Sequence, residues 1–412
     1  MVKKRCSALA WGVVIGSWFA GCNVSNAPAN TGGVRLDDGG GGDGTCPSAL
    51  VVASSDYTST NISVLSPIGK VLSESILSSA SAPPGLTAAL SGDVVFPLAS
   101  PPGKIVIIDR YPNSVVTWVD PSTGAVIHQL PVGTGFAANP HDYIEIAETK
   151  AYVSRYETNM KAGQQPNDGG GDLLIVNPKD VTVIGRVPFA ADGALLPRAD
   201  RMIQIGNEVW VSLQRYDSDF KMAGDARFVG VSTVDDSITW TLDLPGVASC
   251  GGIARSPSGS AVALSCTGAF TDDDPKRRSA IVLLDATVHP PVELERFAVA
   301  AELGAPLGPA IAYASQRLLV GVALGDAQAG RNDVAYSVDL ESGTPHRLAD
   351  AGGAFAFGDI HCAPGCSDLC FIADAQSNVL RVWKGNASSL DAQASVPVDP
   401  SIGLPPRAIG AF

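Results

Sequence analysis

The chain has 412 residues, of which 45% are hydrophobic and only 17% are charged, and it contains 44 glycines and 29 prolines. A chain this rich in turn-forming residues and this poor in charge favours an all-β domain. The net charge of -13 opposes association with nucleic acid phosphates and with anionic lipid headgroups. Nucleic acid is therefore not an expected partner.

The first 21 residues are arranged like a secretory signal peptide. Three cations at positions 3–5 precede an apolar stretch over 8–20, whose helical length of roughly 20 Å is too short to cross a membrane. The sequence Phe19-Ala20-Gly21-Cys22 resembles the lipobox of bacterial lipoproteins. That resemblance implies cleavage before Cys22 and attachment of a diacylglycerol to its thiol. The alternative is an ordinary secretory signal peptide followed by a coincidental cysteine.

Residues 22–45 are rich in glycine and aspartate and contain almost nothing apolar, which predicts a tether between the lipid anchor and a folded domain over 46–412. Asn23 stands where the lipoprotein resemblance associates aspartate with inner-membrane retention. We therefore expect anchoring at the outer membrane, with membrane contact through the N-terminal lipid only. Periplasmic and surface-exposed display both remain open.

Seven short, β-branched segments recur along the chain, each ending near an aspartate, a proline or a cation. Their spacing of roughly 45 to 60 residues suits the blades of a β-propeller, which carry four strands each. The segments are ISVLSP (62–67), VVTWVDP (115–121), LLIVNP (173–178), VGVSTVD (229–235), IVLLD (281–285), VAYSVD (334–339) and VLRVWK (379–384).

The second unit shows the repeat most clearly. It reads KIVIIDRY (104–111), VVTWVDP (115–121), AVIHQLPVG (125–133) and NPHDYIEIAET (139–149). This order resembles the YVTN (YncE-like) β-propeller repeat, and the resemblance extends over most of residues 46–412. It implies an all-β, seven-bladed propeller. The segment from Pro140 to Tyr216 also resembles envelope propeller lipoproteins of myxobacteria and their relatives, whose function is unassigned.

With strands labelled a (innermost) to d (outermost), this register predicts that the domain starts at strand b, in ALVVASSDY (49–57). Residues 406–412 then form strand a of the same blade. The C-terminal strand would thus join the N-terminal blade and close the ring, which leaves no exposed sheet edge.

The cysteines fit this register. Cys250 and Cys266 are symmetric about Ser258, and Cys362 and Cys370 are symmetric about Cys366, so each pair is expected to face across an a–b hairpin. The remaining pair, Cys46 and Cys366, would form a disulfide that holds the ring closed. This bond would place the tether on the face of the a–b turns. Zinc binding by His361 and the cysteines at 362, 366 and 370 is the alternative, although their spacing lacks the usual CxxC.

Motifs for nucleophilic or metal catalysis are absent from the sequence, and its five histidines show no paired spacing. No metal and no cofactor is predicted, and an enzyme is not required to explain the sequence. The enzymatic alternative is a propeller-type hydrolase or lactonase with a site in the central channel. The inner strands offer it four ionisable residues: His141, Asp142, Asp200 and His361.

Three successive blades carry an Arg-Tyr pair at the end of strand b, on the face that also carries the d–a loops. We name these pairs and their neighbours in the d–a loops the Arg–Tyr rim and consider it the candidate ligand-binding face. Its residues are Arg110, Tyr111, His141, Asp142, Arg155, Tyr156, Arg198, Asp200, Arg201, Arg215 and Tyr216.

A second interpretation of the Arg–Tyr rim is structural, with each arginine paired to an aspartate of a neighbouring blade, namely Asp142, Asp200 or Asp217.

For function, the sequence favours a monomeric, lipid-anchored binding or scaffolding module. Its partner would be an envelope protein, a peptide or a small molecule. The hydrolase and a purely structural envelope protein are the alternatives.

Overall fold

A computed structural model describes residues 46–412, which form seven four-stranded antiparallel sheets. The sheets are the blades of a closed β-propeller, as the seven repeats predict. The predicted signal peptide, Cys22 and the tether lie outside the described residues. Within 46–412 no helix has the length and the apolar character needed to cross a membrane.

The strands of the first four blades are given from the channel outwards. Blade 1 contains β28 (Pro406–Ala411), β1 (Leu50–Ser55), β2 (Thr60–Leu65) and β3 (Val71–Ser78). Blade 2 contains β4 (Val94–Val95), β5 (Ile105–Asp109), β6 (Val115–Val119) and β7 (Val126–Pro131). Blade 3 contains β8 (Pro140–Ala147), β9 (Lys150–Thr158), β10 (Gly170–Asn177) and β11 (Thr182–Pro188). Blade 4 contains β12 (Ala199–Ile205), β13 (Glu208–Leu213), β14 (Ala226–Ser232) and β15 (Ile238–Leu244).

The remaining blades follow the same order. Blade 5 contains β16 (Gly252–Arg255), β17 (Ala261–Cys266), β18 (Ala280–Asp285) and β19 (Val292–Phe297). Blade 6 contains β20 (Leu307–Tyr313), β21 (Leu318–Ala323), β22 (Val334–Asp339) and β23 (Pro345–Asp350). Blade 7 contains β24 (Phe357–Cys362), β25 (Leu369–Asp374), β26 (Val379–Gly385) and β27 (Leu390–Ala392). One short α-helix, α1 (Val299–Leu303), and one 3₁₀ turn (Pro275–Arg278) connect strands.

The burial of each strand explains why the repeats are visible in the sequence. Strands b and c are covered on both sides by the neighbouring blades, so β1, β2, β5 and β6 are buried along their whole length. Such strands appear as continuous apolar segments, and all seven predicted segments overlap strand c of a blade. The outermost strands, such as β11, have exposed residues in alternation.

The hydrophobic core is divided into seven clusters, one between each pair of adjacent blades. Successive residues of β1 show the arrangement, because Leu50 and Val52 pack towards blade 7 whereas Val51 and Ala53 pack towards blade 2. Because successive side chains of a strand point to opposite faces, one buried strand contributes to two interfaces. Each blade is stabilised through both of its neighbours.

The C-terminal strand closes the ring as predicted. Strand β28 pairs antiparallel with β1, and Val51 lies opposite Gly410 in that register. The pairing continues past the strand end, where Ser48 donates a backbone hydrogen bond of 2.7 Å to Phe412. A side chain on Gly410 would collide with the ring of Phe96, so only glycine permits this close packing of blades 1 and 2.

The three predicted disulfide pairs are present. They are Cys46–Cys366, Cys250–Cys266 and Cys362–Cys370. Cys362 and Cys370 lie opposite each other in the β24–β25 ladder. Because the six cysteines of residues 46–412 all form these disulfides, their thiols cannot hold zinc, and the alternative of a zinc site at 361–370 is wrong. Cys366 lies in the a–b turn of blade 7, so the described chain begins on the face of those turns.

We predict that removing the Cys46–Cys366 bond destabilises the protein more than removing Cys362–Cys370. The first bond joins residues 320 apart in sequence and the second joins residues 8 apart. Loop-closure entropy gives on the order of 5 kcal/mol for the long loop and about 2 to 3 kcal/mol for the short one. Urea unfolding of the two double Cys→Ser variants measures the difference, and equal losses would contradict it.

Candidate functional site

The central channel holds two cavities, one at each end. We call the face that carries the b–c and d–a loops the upper face, and the face of the a–b and c–d turns the lower face. The upper cavity has a volume of about 390 Å³ and is lined by most of the ionisable groups of the channel. The lower cavity is larger, at about 620 Å³, and its lining is mainly apolar.

His141 and Asp200 occupy the same position in blades 3 and 4, each being the second residue of an inner strand. The residue two places before each of them adopts a left-handed conformation, with φ of 49° at Asn139 and 47° at Arg198. This bend directs both inner strands into the channel from the upper face. Asparagine tolerates the left-handed region, whereas arginine adopts it at a cost in energy.

The side chain of Arg198 holds its strained backbone in place. Its guanidinium is buried, donates to Glu157 at 2.8 Å and to the carbonyl of Asp217 at 2.9 Å, and lies 3.7 Å from the centre of the Phe220 ring. These contacts fix the start of β12 and with it the position of Asp200. Arg198 is a positioning residue that does not line the upper cavity.

The main feature of the upper cavity is a histidine–aspartate pair. Nδ1 of His141 lies 2.6 Å from Oδ1 of Asp200, and the imidazole stacks on the ring of Tyr156 at 4.4 Å between centroids. The second oxygen of Asp200 accepts a hydrogen bond from Gln214, and Tyr156 donates to the same Gln214 side chain at 3.0 Å. Since an ionised carboxylate can only accept, Nδ1 carries the proton and Nε2 has the free lone pair.

Nε2 of His141 is available to a ligand, because the residue lines the upper cavity and no described residue hydrogen-bonds that atom. Burial lowers the pKa of His141 below its usual 6.5, although the charge and the hydrogen bond of Asp200 oppose this effect. Burial alone would raise the pKa of Asp200, but His141 and Arg201 bring it below its ordinary value. At neutral pH the pair is a neutral imidazole next to a carboxylate.

Three arginines line the same cavity. Arg110 is paired with Asp93. Arg201 donates to the carbonyl of Phe96 at 3.0 Å, and its nearest carboxylate, that of Asp142, is 3.9 Å away. Burial alone would lower the pKa of Arg201, but the carboxylates of Asp142 and two other aspartates raise it.

The third arginine, Arg407 of β28, has no carboxylate at ion-pair distance among the described residues. It donates to the carbonyl oxygens of Ser55 and Phe355, at 3.2 and 3.3 Å, and lies 4.5 Å from the centre of the Tyr57 ring. The side chains of Tyr57 and Phe355 are both more than half exposed. Arg407 is therefore a cation held by neutral groups, next to two accessible rings.

Five residues line both cavities and form what we call the waist of the channel: Leu98, Ile253, Ile311, Ile360 and His361. Four of them are aliphatic. Burial lowers the pKa of His361 to about 4, so the imidazole is neutral at physiological pH. Its Nε2 is buried and lacks a hydrogen-bond partner within the described part of the chain.

Arg155 of the Arg–Tyr rim does not reach the cavity. Its side chain is fully buried and forms a two-pronged ion pair with Asp172, with both bonds at 2.7 Å. Its other donors bind the carbonyls of Val132 and Asn167 and the hydroxyl of Thr134, so all five N–H groups are used. Arg155 therefore has a structural role as a lock between neighbouring segments, and it has no N–H group left to bind a ligand.

The structural interpretation of the rim is correct for Arg201, which lies 3.9 Å from Asp142 of the neighbouring blade, and wrong for three other arginines. Arg155 pairs with Asp172 of its own blade, Arg110 pairs with Asp93, and Arg215 pairs with Asp192. The predicted partners were Asp142, Asp200 and Asp217.

Asp142 accepts backbone N–H groups from Leu98, Tyr143 and Met202, and these hydrogen bonds join blades 2, 3 and 4. Burial raises the pKa of Asp142 to about 6.

The rim residues divide into two groups. Arg110, His141, Asp200 and Arg201 line the upper cavity, and Tyr111 is exposed on the same face. The others are buried behind the cavity wall: Asp142, Arg155, Tyr156, Arg198, Arg215 and Tyr216. The sequence did not indicate Arg407, Gln214 or Asp359, which also line the cavity.

In residues 46–412 no group of three or more histidine, cysteine or acidic side chains is arranged to hold a metal ion.

No protein-family model and no curated protein sequence matches the chain. Solved structures with the same fold include a putative 6-phosphogluconolactonase from Bacteroides fragilis, at 10% identity and a TM-score of 0.56, covering 90% of this chain and 99% of that one. The periplasmic gluconolactonase of Pseudomonas aeruginosa is similar at 14% identity and a TM-score of 0.56, over 88% and 98% of the two chains.

A third neighbour is a hypothetical selenium-binding protein from Sulfolobus tokodaii, at 10% identity and a TM-score of 0.57, over 89% of this chain and 94% of that one. At these identities the comparisons establish the fold alone. The protein is a closed seven-bladed β-propeller with a histidine–aspartate pair in the upper mouth of its channel. Membership of the YVTN repeat family stays a prediction from the sequence.

We predict that Arg155→Ala destabilises the protein by about 3 to 5 kcal/mol. The variant leaves the buried carboxylate of Asp172 with Arg186 as its remaining ion-pair partner. Arg347→Ala removes one partner of an exposed pair with Asp350 and serves as the control, with an expected loss under about 1 kcal/mol. Denaturant unfolding measures both. Equal, small losses would overturn the assignment of Arg155 as a lock.

Proposed function

We propose that the protein is a hydrolase that opens a cyclic ester in the upper cavity, with His141 as the general base. The observation that carries this proposal is the 2.6 Å contact between Nδ1 of His141 and Asp200, together with the availability of Nε2 in the cavity. A neutral imidazole with a carboxylate behind it is the arrangement used to take a proton from water.

The reaction follows from these groups. Nε2 of His141 accepts a proton as a water oxygen attacks the lactone carbonyl, and Asp200 stabilises the imidazolium that forms. The ring C–O bond then breaks, and the imidazolium returns the proton to the leaving ring oxygen. Water is thus added across the ester, and a hydroxy acid is released. The guanidinium of Arg201, in the same cavity, would stabilise the negative charge that develops on the carbonyl oxygen.

The structural neighbours are consistent with this substrate class. Two of them carry the names putative 6-phosphogluconolactonase and periplasmic gluconolactonase, and both share the fold along nearly their whole length. Their identity to this chain is too low to transfer residues. The proposal therefore rests on the His141–Asp200 pair, and the neighbours suggest glucono-δ-lactone as the first compound to assay.

A binding module without turnover is the second candidate. Arg407 favours it, because a guanidinium held only by carbonyls and an aromatic ring has N–H groups left for an anionic ligand. Tyr57 and Phe355 add exposed ring surface at the same place. Calorimetric binding of gluconate by a protein that does not hydrolyse the lactone would favour this candidate.

We expect His141→Ala to lower kcat/KM for lactone opening by about a hundredfold to ten-thousandfold, the usual contribution of a general base. The acid released from glucono-δ-lactone is measured continuously, with the spontaneous rate subtracted. His346→Ala, which changes an exposed histidine of the outer strand β23, is the matched control and should retain full activity. Activity that survives in His141→Ala would disprove the assigned role.

The pH profile gives an independent test. Because burial holds the pKa of His141 below 6.5, the base stays deprotonated at neutral pH, and kcat/KM should fall only when the pH drops below 6.5. Asp200→Asn removes the charge that raises this pKa, so the acidic limb should move to lower pH while the plateau rate decreases. An unchanged limb in Asp200→Asn would mean that another group controls the profile.

We further propose that the enzyme acts in the cell envelope, anchored at the outer membrane through Cys22. The support is the lipobox resemblance, together with disulfides in residues 46–412, which suit an oxidising compartment. Cys46 joins the ring at an a–b turn of the lower face. An anchor attached there would leave the upper cavity facing away from the lipid.

A further inference from the structure

The two cavities of the channel meet at the waist, because the same five side chains line both. The waist is mainly aliphatic, and beyond it the lower cavity is lined by further apolar side chains such as Ile144, Ile146 and Ile203. A molecule bound beside His141 therefore lies above an aliphatic waist and a second, mainly apolar cavity. A compact polar sugar would leave this apolar lining unused.

The charged residues of the lower cavity do not alter its apolar character. Glu145 is already paired with Lys104 at 2.9 Å and accepts the hydroxyl of Tyr143 at 2.7 Å. Glu148 and Arg255 are exposed, so their charges lie in solvent at the mouth. The volume of about 620 Å³ between these groups and the waist suits a flexible aliphatic chain.

One polar atom interrupts the apolar waist. Nε2 of His361 is buried there without a partner among residues 46–412, which is a costly arrangement for a polar atom. A ligand with a polar group at the level of the waist would satisfy it after a small rotation of the imidazole, because Nε2 is covered in the free protein. An amide is suitable, because it can donate or accept whichever way the neutral imidazole is protonated.

We propose that the substrate is a lactone carrying a long alkyl chain through an amide, with the ring beside His141, the amide at His361 and the chain in the lower cavity. This inference rests on the proposed hydrolysis for its ring position only. The apolar lining and the unpartnered nitrogen are features of the waist and of the lower cavity. Burial of each methylene favours binding, so affinity should increase with chain length.

The test uses homoserine lactone N-acylated with either a butanoyl or a dodecanoyl chain. Both compounds have the same ring and the same amide, so a difference between them reports on the chain alone. The expected kcat/KM of the purified wild-type protein for the dodecanoyl compound is at least about tenfold higher than for the butanoyl compound. Equal values, with both compounds hydrolysed, would overturn the inference and leave the proposed function standing.

Leu98 allows the route of the chain to be blocked. It lines both cavities, belongs to the loop between β4 and β5 and is 45% exposed, so a larger side chain can be placed there without filling a packed core. In Leu98→Trp the ratio of kcat/KM for the dodecanoyl compound to kcat/KM for the butanoyl compound should fall to about one. Leu98→Ala, the matched control, should keep the preference. A preference that persists in Leu98→Trp contradicts this route.

A binding measurement separates this inference from the proposed function. Titration of His141→Ala with both compounds reports affinity in a variant that lacks the proposed base. Tighter binding of the dodecanoyl compound, lost again in the His141→Ala/Leu98→Trp double variant, supports the alkyl site even where no lactone is hydrolysed. Equal affinity for the two chains overturns it.

Discussion

The antiparallel pairing of β28 with β1 is the interaction on which the rest of the structure depends. Each blade buries its apolar side chains against the two adjacent blades. An open ring would therefore expose the apolar faces of the two blades at the break. Pairing of the two chain ends within blade 1 removes both exposed surfaces. The Cys46–Cys366 bond reinforces the adjacent junction between blades 7 and 1. Closure also fixes the diameter of the channel.

Closure also brings the site together, because its residues come from opposite ends of the sequence. His141 and Asp200 belong to blades 3 and 4, whereas Arg407 is supplied by the last strand of the chain. Arg407 reaches the cavity only because β28 lies in blade 1, where it contacts the carbonyl of Ser55. The stability of the fold and the composition of the upper cavity are therefore linked through one strand.

The fold could be predicted from the sequence because it depends on local patterns. Strands b and c are buried on both sides and therefore appear as continuous apolar segments, and the symmetry of Cys362 and Cys370 about a turn matches the a–b register of blade 7. The inner strand of blade 2 shows the limit of this signal. Only Val94–Val95 forms strand β4, and the preceding segment has no alternating pattern that would indicate it.

The candidate site was only partly predictable, for a physical reason. The position of an Arg-Tyr pair at a strand end follows from the repeat, but the direction of the side chain follows from the loop beside it. Arg155 turns inwards because the loop between β9 and β10 presents the carbonyl of Asn167 to it and Asp172 offers two carboxylate oxygens. Arg407 was missed because the repeat gives no information on which arginines lack a carboxylate partner.

The contrast between Arg155 and Arg407 shows how burial separates structural from functional arginines in this fold. A guanidinium with all five donors satisfied inside the protein can contribute only to stability, since any ligand would have to displace an internal bond. Arg407 bonds only to carbonyl oxygens and an aromatic ring, so an anion could bind it without breaking an ion pair. The same reasoning distinguishes His141, whose Nε2 is free on the cavity side, from a histidine held at both nitrogens. In a repeat protein with no family match, the unused hydrogen-bonding capacity of channel residues is therefore a more direct guide to the functional site than the repeated motif.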